Sequence, residues 1–140
     1  MNVKKIRALL ELHEGRRNQM YQDSRGIQTI GIGHNLRDRP ISDRAVDLIF
    51  EDDLNDHVAD LFRAFPWTEN LDEVRQAAAI DLAFNMGIQT LSTFKNTMAA
   101  FKSGNWEATA LGLENSKWYT QVATRAPRIV RMIRTGLWPA

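Results

Sequence analysis

Apolar residues recur at helical spacing along most of this sequence, and one glycine-rich stretch, residues 21–34, breaks that pattern. A first helix precedes the stretch and is predicted to end at Gly15, because glycine is common just after a helix C-terminus. Within the stretch, turn residues at 23–26 are followed by isoleucines and a threonine, which favour strands. The sequence therefore predicts one small hairpin or three-stranded sheet in an otherwise helical chain.

Helical signals dominate the rest of the chain. Ser42 is a good N-cap, and a helix is predicted from about residue 42 to residue 65, where Pro66 ends it. Residues 71–86 are apolar on nearly all sides, which is typical of a helix at the centre of a larger helical group. Further helices are predicted at residues 91–102, 106–113 and 124–135. The expected fold class is α+β and mainly α-helical.

The chain has 140 residues and no cysteine, so we expect one compact unit held by packing alone, without disulfides or thiolate metal sites. The N-terminus is charged and lacks the apolar core of a signal peptide. No apolar run approaches the length of a membrane span. We therefore expect a protein that is made in the cytoplasm without a signal peptide.

Charge is unevenly distributed along the chain. Residues 1–114 contain 13 Lys/Arg and 17 Asp/Glu, whereas residues 115–140 contain five basic residues and no acidic one. These five are Lys117, Arg125, Arg128, Arg131 and Arg134. Such a basic end either favours an anionic partner, such as nucleic acid, acidic lipid or cell wall, or forms a solvated helix face.

Two carboxylates lie in contrasting local settings. Glu14 is in the last turn of the first helix, where the negative end of the helix dipole disfavours the ionised form. Asp23, nine residues later, heads a turn in which its side chain can accept backbone N–H bonds that favour the ionised form. Each residue alone is explained locally, as a surface glutamate or a turn former. Together they match the protonated and the ionised carboxyl that glycoside hydrolysis requires.

Other residues near the turn have structural explanations. Thr29 fits a strand by its β-propensity. Gly31 and Gly33 lack the following helix and lysine of a phosphate loop, and a close approach of another chain segment or a ligand explains them better. Asp53 falls on the apolar face of its helix, and His34 is its nearest candidate partner in sequence. We expect these two to form a structural ion pair.

The sequence gives little support for a metal site or a serine nucleophile. The three histidines have no recognisable ligand spacing, so no metal site is predicted and no cofactor is expected. No serine lies in the Gly-X-Ser-X-Gly pattern of a nucleophile elbow. Three tryptophans of the helical half are most simply core anchors, with sugar stacking as the alternative: Trp106, Trp118 and Trp138.

With Glu14-Gly15, Tyr21-X-Asp23 and Thr-Ile-Gly-Ile-Gly-His at 29–34 in place, the chain resembles the T-even phage lysozyme family, glycoside hydrolase family 24. The similarity covers nearly the whole chain in order, and the Glu, Asp and Thr spacing is its most specific part. It continues at Val74-Arg75, Ala77-Ala78, Phe84-Asn85-Met86-Gly87, Phe94, Trp106, Ser116-Lys117-Trp118-Tyr119, Arg125-Ala126 and Arg134-Thr135-Gly136-Leu137-Trp138.

The resemblance implies a lysozyme-like, two-lobed fold in a single catalytic domain, residues 1–140. The β-hairpin lobe is expected at about 16–40, a long connecting helix at about 42–65, and the helical lobe at about 71–140 together with the N-terminal helix. The implied activity is hydrolysis of the β-1,4 bond between N-acetylmuramic acid and N-acetylglucosamine in bacterial peptidoglycan. The implied mechanism is inverting.

The resemblance also implies roles for individual residues. Glu14 matches the general acid, Asp23 the carboxylate that positions or activates water, and Thr29 the hydroxyl that helps to hold that water. Arg125 matches an arginine that pairs with the catalytic glutamate. The expected glycan contacts are Tyr21, Asn35, Phe84, Asn85 and Thr97.

The His34–Asp53 pair matches a structural ion pair of the family. The sequence departs from the family pattern at Gln28, Asn35 and Gly112, and residues 36–49 form a shorter segment. These differences concern the subsites of the lower lobe, whereas the acid–base chemistry is expected to be retained.

The implied protein is a monomeric endolysin that causes host cell lysis, with peptidoglycan as its partner, no nucleic-acid partner and no stable membrane insertion. It is expected to act on the cell wall in the periplasm after a holin-type pore permeabilises the membrane. Its basic end would then attract anionic cell wall. Two alternatives are a lytic transglycosylase of similar fold and a catalytically inactive cell-wall-binding module. A transglycosylase keeps the glutamate but needs no Asp or Thr, so Asp23 and Thr29 argue against the first alternative. The intact set of Glu14, Asp23 and Thr29 argues against the second.

Overall fold

The computed structural model describes residues 1–139. Contacts within the chain group it into two compact units, Met1–Ile49 and a second unit that begins at Phe50. One small antiparallel sheet accompanies many helices, so the prediction of a mainly helical α+β fold is confirmed. Over the described residues, no helix has both the length and the apolar character needed to cross a membrane.

The first unit opens with helix α1, Val3–Glu14. Its N-terminus is capped by Asn2, whose side-chain oxygen accepts the Lys5 N–H at 3.0 Å. Gly15 ends the helix with a φ of +79°, and its N–H donates to the Glu11 carbonyl at 2.9 Å. The predicted helix end is therefore confirmed, because only glycine adopts this positive φ readily.

Three strands follow in the order β1-β2-β3: β1 Arg17–Gln22, β2 Gln28–Gly31 and β3 His34–Asn35. Both pairings are antiparallel. The predicted sheet is confirmed, although β1 begins four residues before the predicted stretch. An irregular register within β1 and its mostly polar sequence explain why no alternating pattern reveals it.

Helix α2, Asp43–Ala64, runs from the first unit into the second. Ser42 caps it as predicted, with its hydroxyl accepting the Ala45 N–H at 3.2 Å. Pro66 follows the helix and opens a short 3₁₀ helix, Pro66–Asn70. Leu61 is the buried residue of α2, whereas apolar residues near its N-terminus are exposed.

The second unit is built from helices and has the main hydrophobic core. Helix α3, Glu73–Met86, is the central helix, and its buried residues are mostly small, with three alanines among them. It contacts α8, Arg125–Thr135, the last helix of the chain. The remaining helices are α4 Ile88–Leu91, α5 Lys95–Lys102, α6 Trp106–Glu114 and α7 Lys117–Gln121. The sequence misses α4 and α7, since helices of four or five residues are too short for a periodic pattern.

Arg75 ties α3 to the end of α8. Its guanidinium donates to the carbonyls of Ile133 at 2.7 Å and Arg134 at 3.2 Å, and it lies 4.2 Å from the centre of the Trp106 ring. The last carbonyls of a helix have no partners within the helix and carry a partial negative charge. A cation at this position therefore satisfies them and stabilises the packing of α8.

Candidate active site

Glu14 is the last residue of α1, and its side chain is exposed. The helix ends at this point because Gly15 turns the chain towards β1. Glu14 packs against Gly33, where an added β-carbon would lie 3.0 Å from Glu14 Oε2. The carboxyl group is thus brought next to the connection between β2 and β3.

Asp23 occupies the turn between β1 and β2. One of its carboxylate oxygens accepts the backbone N–H groups of Arg25 at 2.8 Å and Ile27 at 2.9 Å. Gly26 has a φ of +74° and donates its N–H to the Asp23 carbonyl at 2.9 Å. The predicted turn chemistry is present, and it fixes the direction of the carboxylate.

The same contacts set the protonation of Asp23. Its pKa lies below the ordinary value of 3.8, chiefly because the Ile27 N–H bonds to the ionised form. Partial burial opposes this shift, while the Arg25 N–H and the charges of Arg25 and Arg37 reinforce it. Asp23 is therefore ionised at neutral pH and available as a base.

Thr29 lies in the central strand β2 and is 3% exposed. Its hydroxyl donates to the Ile27 carbonyl at 2.8 Å, which leaves the lone pairs of the hydroxyl oxygen able to accept. Thr29 is paired across the sheet with Tyr21 on one side and Asn35 on the other. Directly paired residues present their side chains on the same face of a sheet. Three predicted site residues therefore share one row.

The two residues that flank Thr29 in this row, Tyr21 and Asn35, are held by local contacts. The Arg17 guanidinium lies 4.8 Å from the centre of the Tyr21 ring. The Asn35 side chain caps the next turn, accepting the N–H groups of Arg37 at 3.0 Å and Asp38 at 2.9 Å and donating to Asp38 at 2.9 Å. A glycan contact through Asn35 stays a prediction, and one made through its amide would compete with this turn.

The two residues of the predicted structural ion pair belong to different units, His34 to the first and Asp53 to the second. His34 Nε2 donates to the Arg39 carbonyl at 3.2 Å. Asp53 is exposed on α2, so the burial that motivated a partner for it is absent. Their pairing stays a prediction.

Arg125 has an acidic neighbour in the second unit that the sequence did not suggest. Its Nε lies 3.0 Å from Oδ1 of Asp81, and both side chains are partly exposed. The orientation gives no hydrogen bond, so this buried Oδ1 has no hydrogen-bond partner within residues 1–139. Burial raises the pKa of Asp81, and the charge of Arg125 opposes that shift. An acid inside the apolar run of α3 was the signal that could have identified Asp81.

The other predicted glycan contacts also have partners within the second unit. Phe84 packs against the rings of Phe50 and His57, with centroids 6.5 Å and 4.7 Å away. Asn85 accepts the indole N–H of Trp118 at 2.8 Å. Their contact with glycan stays a prediction.

Thr97 is 9% exposed and faces Gly112, where an added β-carbon would overlap its hydroxyl. A glycan contact through Thr97 stays a prediction. The tryptophans differ in burial. Trp118 is 6% exposed and anchors the core as expected, whereas Trp138 is 54% exposed. The interpretation of Trp138 as a core anchor is therefore wrong, because the chain leaves α8 at Gly136 before reaching it.

Comparison with known proteins gives consistent matches. The sequence model of the family described as phage lysozyme matches residues 11–131. Probable T4-type lysozyme 1 of Dictyostelium discoideum is 27% identical, with 96% of each chain covered. The pre-baseplate central spike protein Gp5 of Enterobacteria phage T4 is 29% identical over 91% of this chain, which corresponds to 27% of the spike protein. The peptidoglycan hydrolase gp36 of Pseudomonas phage phiKMV is 30% identical over 84% of this chain and 14% of its own length.

Proposed function

This chain belongs to the phage lysozyme family, and on that basis we propose that it is a peptidoglycan hydrolase. The proposed reaction cleaves the β-1,4 bond between N-acetylmuramic acid and N-acetylglucosamine. One observation carries the proposal: a carboxylate held ionised by two backbone N–H groups lies in the turn that leads into the strand with a buried hydroxyl. An ionised carboxylate can accept a proton from the attacking water, and a nearby hydroxyl can orient that water.

The proposed mechanism assigns one proton transfer to each carboxyl. Glu14 gives its proton to the glycosidic oxygen as the bond to the anomeric carbon breaks. Water attacks that carbon from the opposite face and passes a proton to Asp23, while Thr29 helps to orient the water. This single displacement inverts the anomeric configuration. Exchange with solvent then returns the proton to Glu14 and removes it from Asp23.

The remaining assignments are proposals drawn from the family. Arg125 would support the catalytic glutamate, and the two members of the His34–Asp53 pair would join hairpin and helix. Glycan would be contacted at Tyr21, Asn35, Phe84, Asn85 and Thr97. Lysis of a bacterial host would follow from the same cleavage once the enzyme reaches the wall.

Product analysis tests the proposal directly. Purified peptidoglycan digested with the protein is expected to release fragments with a reducing sugar, each heavier by one water than the anhydro product of a lytic transglycosylase. Proton NMR taken during digestion should first show the α anomer at the new end, as inversion of a β bond requires. Anhydro sugar ends would overturn hydrolysis, and an initial β anomer would overturn inversion alone.

A further inference from the structure

Gly33 lies between β2 and β3, and the Glu14 side chain borders the space that a β-carbon on Gly33 would occupy. A β-carbon added to Gly33 would lie 3.0 Å from Oε2, 3.1 Å from Cδ and 3.2 Å from Cγ of Glu14. These are three consecutive heavy atoms of the side chain, including the carboxyl carbon. The carboxyl end of Glu14 therefore rests on the side of Gly33 where other residues have a side chain.

We propose that Gly33 is a positioning residue, whose bare α-carbon sets the direction of the Glu14 carboxyl group. This inference rests on the proposed role of Glu14 as the general acid. A glutamate side chain has several rotatable bonds, and a wall on one side removes the rotamers that would cross it. A general acid must lie within hydrogen-bond reach of the oxygen that it protonates, so the position of this wall is part of the catalytic geometry.

Two physical reasons for a glycine must be separated at this position. The first is backbone conformation: Gly33 has a φ of +69°, which other residues rarely adopt. The second is the space occupied by Glu14. Gly31 shares only the first reason, since its φ is +68° but an added β-carbon meets nothing within 4 Å. Gly31 is therefore a matched control, two residues away in the same segment.

The experiment compares Gly33→Ala with Gly31→Ala. Both substitutions force alanine into a positive φ, so both are expected to lower the melting temperature by similar amounts. Only Gly33→Ala should displace the Glu14 carboxyl, by the few tenths of an ångström or more needed to clear the new methyl group. Because small misplacements of catalytic groups are costly, kcat on soluble peptidoglycan fragments should fall about 10- to 100-fold with KM nearly unchanged. Gly31→Ala should keep a kcat close to that of the wild type.

A double substitution tests whether the effect passes through Glu14. Glu14→Asp shortens the side chain by one methylene and withdraws the carboxyl from Gly33. In the Glu14→Asp background, Gly33→Ala should therefore reduce kcat much less than it does in the wild type. If Gly33→Ala does not fold, Gly33→Asn replaces it with Gly31→Asn as its control, because asparagine tolerates positive φ better than alanine.

The outcomes separate the inference from the proposed function. Equal kcat values for Gly33→Ala and Gly31→Ala, or an undiminished penalty in the Glu14→Asp background, would overturn the positioning role. If Glu14→Gln is as active as the wild type, the general-acid assignment itself is wrong. An inactive Glu14→Gln with a fully active Gly33→Ala would reject the inference alone.

Discussion

Asp23 and Thr29 are joined through one residue, because both side chains bond to the backbone of Ile27. Asp23 accepts the Ile27 N–H at 2.9 Å, and Thr29 donates to the Ile27 carbonyl at 2.8 Å. The backbone N–H of Asp23 also donates to that carbonyl, at 2.9 Å. The separation of the Asp23 carboxylate and the Thr29 hydroxyl, the two groups proposed to bind the attacking water, is thus set by a tight backbone turn.

Thr29→Val tests the hydroxyl at nearly constant volume. The variant loses the bond to the Ile27 carbonyl, so the free energy of unfolding should fall by about 0.5–1.5 kcal/mol. If the hydroxyl also orients water, kcat should fall by at least about tenfold, which exceeds what this small loss of stability explains. Thr29→Ser, which keeps the hydroxyl, is the control and should stay active. A Thr29→Val enzyme with wild-type kcat would remove Thr29 from the mechanism.

Asp23 is expected to titrate below its ordinary pKa of 3.8, because two backbone N–H groups bond to its ionised form. A depressed pKa in the folded state means that the contribution of Asp23 to stability is present above pH 3.8 and is lost as pH falls through the folded pKa. The ¹³C chemical shift of the carboxyl carbon measures this titration by NMR. A midpoint at or above 3.8 would show that these bonds do not hold the carboxylate ionised.

Asp81 should have the opposite pH dependence. Burial raises its pKa above 3.8, so the folded state holds this proton more tightly, and stability declines as pH rises above 3.8. Asp81→Asn is therefore expected to melt at a higher temperature than the wild type at pH 7, with the difference shrinking as pH falls below 3.8.

Asp72 provides a control in the cap of the same helix. Burial opposes the shift there, but bonds from the Arg75 backbone and side chain lower the pKa of Asp72 overall. Asp72→Asn should accordingly lower the melting temperature at pH 7. An Asp81→Asn variant that is also less stable at pH 7 would mean that its charge contact with Arg125 outweighs burial.

The basic C-terminal end has fewer free positive charges than its five basic residues suggest, because some of them pair with acidic residues. Arg134 forms two 2.9 Å contacts with Glu107 and also pairs with Glu114, so its charge is already matched. Arg128 and Arg131 are exposed and form no ion pair within residues 1–139. These two, together with the exposed Lys117 outside α8, are the residues that can attract an anionic wall.

Arg128→Gln combined with Arg131→Gln should therefore slow clearing of purified cell walls at low salt. The difference should disappear at about 1 M salt, where screening reduces the range of charge interactions to about 3 Å. Arg134→Gln is the control, which should lower the melting temperature and leave the salt dependence unchanged. A double variant that matches the wild type at low salt would reject attraction to the wall through this face.

Features that depend on neighbouring residues were predictable from the sequence. The end of α1 at Gly15 and the Asp23 turn each follow from the conformational preferences of a few adjacent residues. Contacts between distant segments were not predictable. The glycine at 33 predicted a close approach there, but no local pattern showed that Glu14 makes it, or that Asp81 pairs with Arg125, because both contacts depend on how separate elements pack. Asp81, an acid in the middle of the apolar part of α3, was the one hint of the second contact.

The assignment of Glu14 as the general acid is tested most directly by Glu14→Gln, assayed on purified peptidoglycan with mass analysis of the released fragments. Glutamine keeps the shape of the side chain but cannot donate a proton as an acid, so the fold should persist. The release of reducing ends should fall by about 10²–10⁴-fold, the usual contribution of general acid catalysis. A folded Glu14→Gln protein that releases reducing ends at the wild-type rate would contradict the account.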